Sequence, residues 1–307
     1  MLVNAAKLNI GFLIYTYDKI DDAKINMEII RSMWQSPQLF REITIVHAYN
    51  GDKSWYKTKY LEDELVITHN SGHFQGASEM IDAGIKLFGA KYTKVDYVIV
   101  LASDTWLVKP SYIAQILGKK QDSSLFLAAC AWNLNEYTSI FDVGIATDFF
   151  IIDLHWSIKR HLFPLRYKEF KDKYGDLLLY INGDLVQLEK LLLLRFVAAI
   201  YGEEQDDIAM KHIALSRMYR MKDREPVHTG IDERDVWIRK RHWPNMGFIG
   251  YDEPEAKRAA LKNIKEAKGA SIERLLNSSD LDYYNSFTPH RVGHRFRFWA
   301  GSQEPRA

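Results

Sequence analysis

The chain reads as an α/β fold with a mostly parallel central sheet, and two observations carry that reading. In its first third, short apolar runs of strand length alternate with amphipathic stretches at helical spacing, and one of those runs, VDYVIVLA (95–102), is almost continuously apolar. Such alternation is the pattern of β-α-β units. An unbroken apolar run belongs to a central strand covered on both faces.

Each element follows in turn. IGFLIYTY (10–17) is the first strand, and Asp21 is the expected N-cap of a helix on which Ala23, Met27, Ile30 and Trp34 share one face. EITIVHAY (42–49) is the second strand, closed by Asn50 and Gly51. ELVITH (64–69) is the third, closed by Asn70, Ser71 and Gly72. FQGASEMIDAGIKLF (74–88) aligns Ala77, Ile81, Ile85 and Phe88 on the face of a second helix. DYVIVLAS, the fourth strand, then runs into Asp104. SLFLAACAW (124–132) and GIATDFFIID (144–153) are further strands. Beyond residue 154 the chain turns more helical, with helices expected at 184–200, 204–221 and 254–267. LEKLLLLRFVAAI (188–200) is interrupted by Glu189, Lys190 and Arg195, which marks a buried core helix rather than a membrane span.

Composition narrows the function classes. The 307 residues, 47% hydrophobic and 26% charged, suffice for a full core and argue against extended disorder. A net charge of +1 provides no global field toward nucleic acid or an anionic membrane. Aromatics at 13% suit stacking on sugars or nucleobases, although large cores also use them. The single cysteine, Cys130, lies in an apolar run and reads as a buried thiol, which with the absence of a signal-peptide pattern leads to the expectation of a cytoplasmic protein. Walker-type loops, paired cysteine ligands, HExxH and GxSxG are absent from the sequence.

In open parallel sheets, ligands bind outside the carboxyl ends of the strands. Here those ends read Thr16-Tyr17-Asp18, Asn50-Gly51-Asp52, Asn70-Ser71-Gly72 and Ser103-Asp104-Thr105, which would gather hydroxyls, amides and carboxylates at one edge. Turn chemistry alone also places such residues at strand ends.

The order of these parts resembles the GT-A glycosyltransferases. The residues that carry the resemblance are the Thr-Tyr strand end, the helix KINMEIIRSMW, the helix start NSGHFQGASEMIDAGI and the apolar strand VIVLASDTWLVKPSYI with its acidic motif, covering roughly residues 8 to 155. The resemblance implies a Rossmann-like GT-A domain that moves a sugar from a nucleotide-diphosphate donor, UDP-sugar by preference, to a hydroxyl acceptor on a glycan or lipid-linked saccharide. It implies a donor-binding half over 1–155 and a helical, acceptor-side part over 156–307 of one continuous domain.

Residue by residue, the resemblance assigns donor binding to Thr16, Tyr17, Asn50, Asn70, Gly76, Ser103 and Asp104, with Tyr17 stacking on the base. Trp132, Thr147, Asp148 and Trp156 would border the sugar or the acceptor. The family's Asp-x-Asp acids hold Mn²⁺ or Mg²⁺ against the diphosphate, but Ala102 replaces the first of them here. Asp104 would remain as metal ligand, with His228 or His242 completing the shell, while Arg224, Arg239, Lys240 and Arg241 offer a direct alternative for pairing phosphates. Asp184 and Glu189 are candidate bases for the acceptor hydroxyl, the first doubling as a helix N-cap and the second as an ordinary solvated acid. GEEQDD (202–207) is a further acidic helix start.

Other readings stay open at this level. The degenerate acidic motif fits a catalytically silent protein that binds nucleotide sugars or glycans. HRVGHRFRFWAG (290–301) interleaves arginines with aromatics, which suits peripheral contact with the inner face of a membrane, or stacking on nucleic acid if modified bases were the acceptor.

Overall fold

The computed structural model describes residues 8–34, 40–54, 56, 59–107, 113, 117, 127–133, 143–182, 188–201, 237–240 and 248–249. The strands are β1 (Leu8–Thr16), β2 (Phe40–Tyr49), β3 (Glu64–Ile67), β4 (Tyr97–Ala102), β5 (Trp106–Leu107), β6 (Leu127–Asn133), β7 (Val143–Asp153), β8 (Trp237–Lys240) and β9 (Phe248–Ile249). The helices are α1 (Ile20–Ile29), continued by a π-helical turn over Ile30–Trp34, then α2 (His73–Lys91), α3 (Leu154–Lys159), α4 (Tyr167–Asn182) and α5 (Leu188–Tyr201).

The main sheet runs β3-β2-β1-β4-β7-β6-β8, while β5 and β9 form a separate antiparallel pair. Pairing is parallel from β3 through β4 and between β6 and β8, and antiparallel on both sides of β7. The chain is thus α/β, with a mixed, mostly parallel sheet.

Alternation along the central strands divides the core in two. Tyr97, Ile99 and Leu101 of β4 pack with Ile10, Phe12 and Ile14 of β1 and with Ala23, Met27, Ile30 and Trp34 from the α1 side. Val98 and Val100 turn to the other face and join Leu13, the α2 residues Ile81, Ile85 and Phe88, and the leucines of α5. The double-sided cover expected of β4 is therefore present, as are the predicted buried faces of the first two helices. The α1 cap differs from expectation. Lys19 is the N-cap residue, without a side-chain cap, because the backbone bonds Ile20 N to Asp18 O and Ala23 N to Lys19 O start the helix earlier. Asp21 sits in the first turn, where a carboxylate favours the helix dipole.

Helix α2 approaches β1 through two reciprocal steps. A methyl group on Gly11 would stand 2.5 Å from the Phe88 ring, and one on Gly84 would stand 2.2 Å from Leu13 Cδ1. Each large side chain fills the space left by a glycine on the other element. The turn between α3 and α4 is strapped from two sides: Asp82 Oδ1 accepts from Leu165 N at 2.7 Å, and Arg195 donates to the carbonyls of Leu162 and His161 at 2.7 and 2.9 Å. Those bonds hold His161 and Arg166 at φ 53° and 55°, in the left-handed region where each non-glycine residue costs on the order of 1 kcal/mol.

Among the described residues no helix is long and apolar enough to cross a membrane. The expected helices at 204–221 and 254–267 and the basic aromatic segment 290–301 lie outside the described residues.

Two measurements test this packing. Gly11→Ala should lower unfolding free energy by about 1–3 kcal/mol in urea titrations, with partial recovery when Phe88→Leu is added. Burial pushes the Asp82 carboxyl up to about 6, against its backbone donors and Arg195. A raised acid binds its proton more tightly in the folded state, so its stabilising contribution is complete below pH ~4 and is lost as pH rises through about 6. Asp82→Asn should flatten the stability profile across that window.

Candidate functional site

The parallel half of the sheet brings its strand ends together in register. Thr16 stands opposite Tyr49, and Tyr15 opposite Ala102. Beyond the ladders, Asn50 N donates to Thr16 O at 3.2 Å and Ser103 N to Tyr15 O at 3.1 Å. The carboxyl ends of β1, β2 and β4 therefore form one continuous edge. The β2 turn is held tightly: a methyl on Gly51 would meet the Tyr17 carbonyl at 2.0 Å, and Tyr49 Oη donates to Asp52 O at 2.8 Å. Across from it, Gly72 starts α2 with φ 96°, a conformation that glycine adopts without strain. Asn70 Oδ1 accepts from Gly72 N at 3.2 Å, which places Asn70 within this turn.

The expected donor residues divide into scaffold and surface. Thr16 is buried, and its hydroxyl lies 2.9 Å from Nε2 of the fully buried His47. Its side chain does not line the edge; it supports it. His47 Nδ1 has no hydrogen-bond partner, and a bare acceptor is cheaper to bury than an N–H, so the proton sits on Nε2 and is donated to Thr16. Burial alone pushes the imidazole down to about 3. Asn50 is buried too, and its amide nitrogen would be 2.4 Å from a methyl on Gly76. Gly76 thus makes room for Asn50, whose Oδ1 is buried without a partner. Tyr17, 54% exposed, is the aromatic surface at this edge. Ser103 is buried at the end of β4.

Asp104 carries an ion pair that was not expected of it. Its Oδ2 accepts from Lys19 Nζ at 2.9 Å, with the two side chains 15% and 35% exposed. Lys19 was not among the expected site residues, because it becomes the N-cap of α1 and meets Asp104 only in the folded chain.

A Mg²⁺ or Mn²⁺ ion seeks hard oxygen ligands, commonly one or two carboxylates with phosphate oxygens and water. The described donors do not fit that need, because Asp104 is a single carboxylate with an ammonium already on it and Ala102 stands in the other acidic position. Among the described residues no group of three or more His, Cys, Asp or Glu could hold a metal ion. His228 and His242, like Asp184, Arg224, Arg241 and residues 202–207, lie outside the described residues.

The acceptor-side expectations divide as well. The β4–β7 ladder ends at Leu101↔Phe149, so the next residues of β7 toward this edge are Asp148 and Thr147, beside Ala102 and Ser103. There β7 bulges: Ala129 opposes Phe150 but Ala131 opposes Ile145, so five steps along β7 match two along β6. Bulges re-aim side chains. Thr147, buried within this bulge, reaches Glu189 Oε1 on α5 at 3.2 Å. Glu189 is accordingly not a solvated acid; it is 8% exposed, in the first turn of α5.

Trp132 lies at the same edge by the Trp132↔Gly144 register, and Lys240 of β8 ends beside Ala131. Trp156 does not join them. Because β7 runs antiparallel to β4, its last residue, Asp153, pairs with Tyr97 at the opposite end of the sheet, and Trp156 follows it on α3, packed on Phe196 at 5.2 Å between ring centroids. After β8 the chain returns to this region, since Phe248 and Ile249 pair with Leu107 and Trp106, just beyond Asp104.

His47 supplies a test of the scaffold. A lowered imidazole pKa means the unfolded chain takes up the proton first, so the stability it contributes is present above pH ~6.5 and is lost on acidification toward 3. His47→Gln, which keeps a donor for Thr16 without a titrating ring, should reduce the acid-induced fall in urea midpoint below pH 6.5; an unchanged fall would show that His47 does not drive it.

No protein-family model matches the chain, and no curated protein matches it.

Proposed function

We propose that the chain is a GT-A type glycosyltransferase, transferring a sugar from a nucleotide-diphosphate donor to a hydroxyl on a glycan or lipid-linked saccharide. The observation that carries the reading is the joined edge of β1, β2 and β4, with exposed Tyr17 and part-exposed Asp104 on it and the Thr147–Glu189 pair at the same end of the neighbouring strand β7. A stacking surface, a charged centre and a buried carboxylate follow one another along a single sheet edge.

In the reaction, the bond between the sugar's anomeric carbon and the phosphate oxygen breaks, and its electron pair stays on the diphosphate. The acceptor oxygen bonds to that carbon, and its proton passes to a carboxylate. Tyr17 offers its ring to the base. Glu189, steadied by the Thr147 hydroxyl and by the positive end of α5, and Asp184, just before that helix, are the carboxylates proposed for the proton.

A second reading has its own observation. Ala102 replaces one acid and Lys19 engages the other, which also suits a protein that binds nucleotide sugars without turning them over. Turnover separates the two.

The test is thermal shift with UDP-, dTDP-, GDP- and ADP-sugars, followed by product analysis with any sugar that stabilises the protein. Selective stabilisation is expected, weakened in Gly76→Ala, which displaces Asn50. Of Asp184→Asn and Glu189→Gln, one should slow transfer by about 10²–10⁴-fold while donor binding persists. Full rates in both would remove both from the role of base, and stabilisation without product would favour the silent binder.

A further inference from the structure

We infer that this edge carries its own cation: Lys19 receives the diphosphate of the ligand, and Asp104 is the residue that positions Lys19, in place of a divalent metal ion. The inference deepens the nucleotide-sugar reading above and rests on it.

The geometry leads there in three steps. Lys19 follows the exposed Tyr17-Asp18 pair just past the end of β1, and Asp104 lies two residues past the end of β4, so their 2.9 Å contact spans the two central strand ends. An ammonium held in this way is fixed in place, yet its side chain remains 35% exposed and can contact an incoming oxyanion. A carboxylate that already accepts from an ammonium offers less to a metal ion, and a metal at Oδ2 would have to displace Lys19 against like-charge repulsion.

Charge elsewhere on the edge sets the direction of the ligand. Burial raises the pKa of the Tyr49 phenol, and the charge of Asp52, beyond the end of β2, and then that of Asp18 add to the rise, so carboxylate charge reaches the β2 end of the edge. That side suits hydroxyl and N–H donors such as those of a nucleoside, while the anionic end belongs at Lys19. The basic residues of β8 belong to a different part of the sheet: β4, β7, β6 and β8 are successive neighbours, which puts the backbone of Lys240 roughly 14 Å from β4 across three strand spacings. A positive group at the leaving diphosphate stabilises the charge that develops as the sugar departs.

The experiment is titration calorimetry with sodium pyrophosphate, with UDP, dTDP, GDP and ADP, and with the matching nucleosides, in EDTA and again with MnCl₂. Wild type, Lys19→Ala and Lys19→Arg are compared, and the melting temperature of each unliganded protein reports its folding. The expected result is diphosphate binding in EDTA that Mn²⁺ barely changes, weakened about 10- to 100-fold in Lys19→Ala, largely restored in Lys19→Arg, with nucleoside binding unaffected. Diphosphate binding that requires Mn²⁺ overturns the inference while the glycosyltransferase reading stands, and so does a folded Lys19→Ala that binds like wild type. Pyrophosphate held through Lys19 without any nucleotide sugar binding supports the anion site and removes the sugar-donor reading. No binding by any probe overturns both.

Discussion

Strand β1 is paired on both sides along most of its length, and the candidate site depends on that pairing. Its ladders with β2 and β4 bring three strand ends to the same level, and the backbone bonds from Asn50 and Ser103 extend the alignment past the strands themselves. A slip of one residue would exchange the two core faces, setting Leu13 against α1 and Phe12 against α2. The Gly11–Phe88 and Leu13–Gly84 contacts oppose such a slip, since each large side chain fits only opposite its glycine.

Behind the edge lies a layer whose polar groups serve support rather than recognition. His47 is buried and neutral, its ring stacked edge-on against Tyr56, whose hydroxyl donates to the buried Glu62. Thr16 is committed to His47, and Asn50 fills the space opposite Gly76. The His47–Thr16 and Tyr56–Glu62 pairs stiffen this layer, because moving either member of a pair would leave a buried polar group without its partner. Rigidity in the supporting layer keeps Tyr17, Lys19 and Asp104 at fixed positions on the surface it carries.

The bulge in β7 plays the matching part on the other side. A regular strand would send Thr147 to the same face as Phe149, which packs with the α1 side. The extra residues reverse that parity and let Thr147 meet Glu189 from α5. A buried carboxylate is thus joined to β7 near the level where β4 ends, although Thr147 and Glu189 are far apart along the chain.

The sequence by itself determined the α/β class, the central place of β4 and the buried faces of the first two helices. These follow from local periodicity: Ala23, Met27, Ile30 and Trp34 are readable at helical spacing whatever they pack against, and an unbroken apolar strand must be covered twice. It also singled out the strand ends that the fold brings to one edge as the expected place for a site. The β7 bulge and the short strands β8 and β9 were not foreseen, because two-to-four-residue pairings and register jumps leave no periodic trace; helix α4 was not foreseen either, although Tyr167, Phe170 and Tyr174 recur at helical spacing. Tertiary structure alone decided which polar residues face out. Thr16 and Asn50 turned inward, Trp156 fell at the far end of the sheet because β7 runs antiparallel, and Lys19 met Asp104, a partner 85 positions away. Such pairings depend on which strands become neighbours and in which direction they run, and those are long-range choices made by the core as a whole.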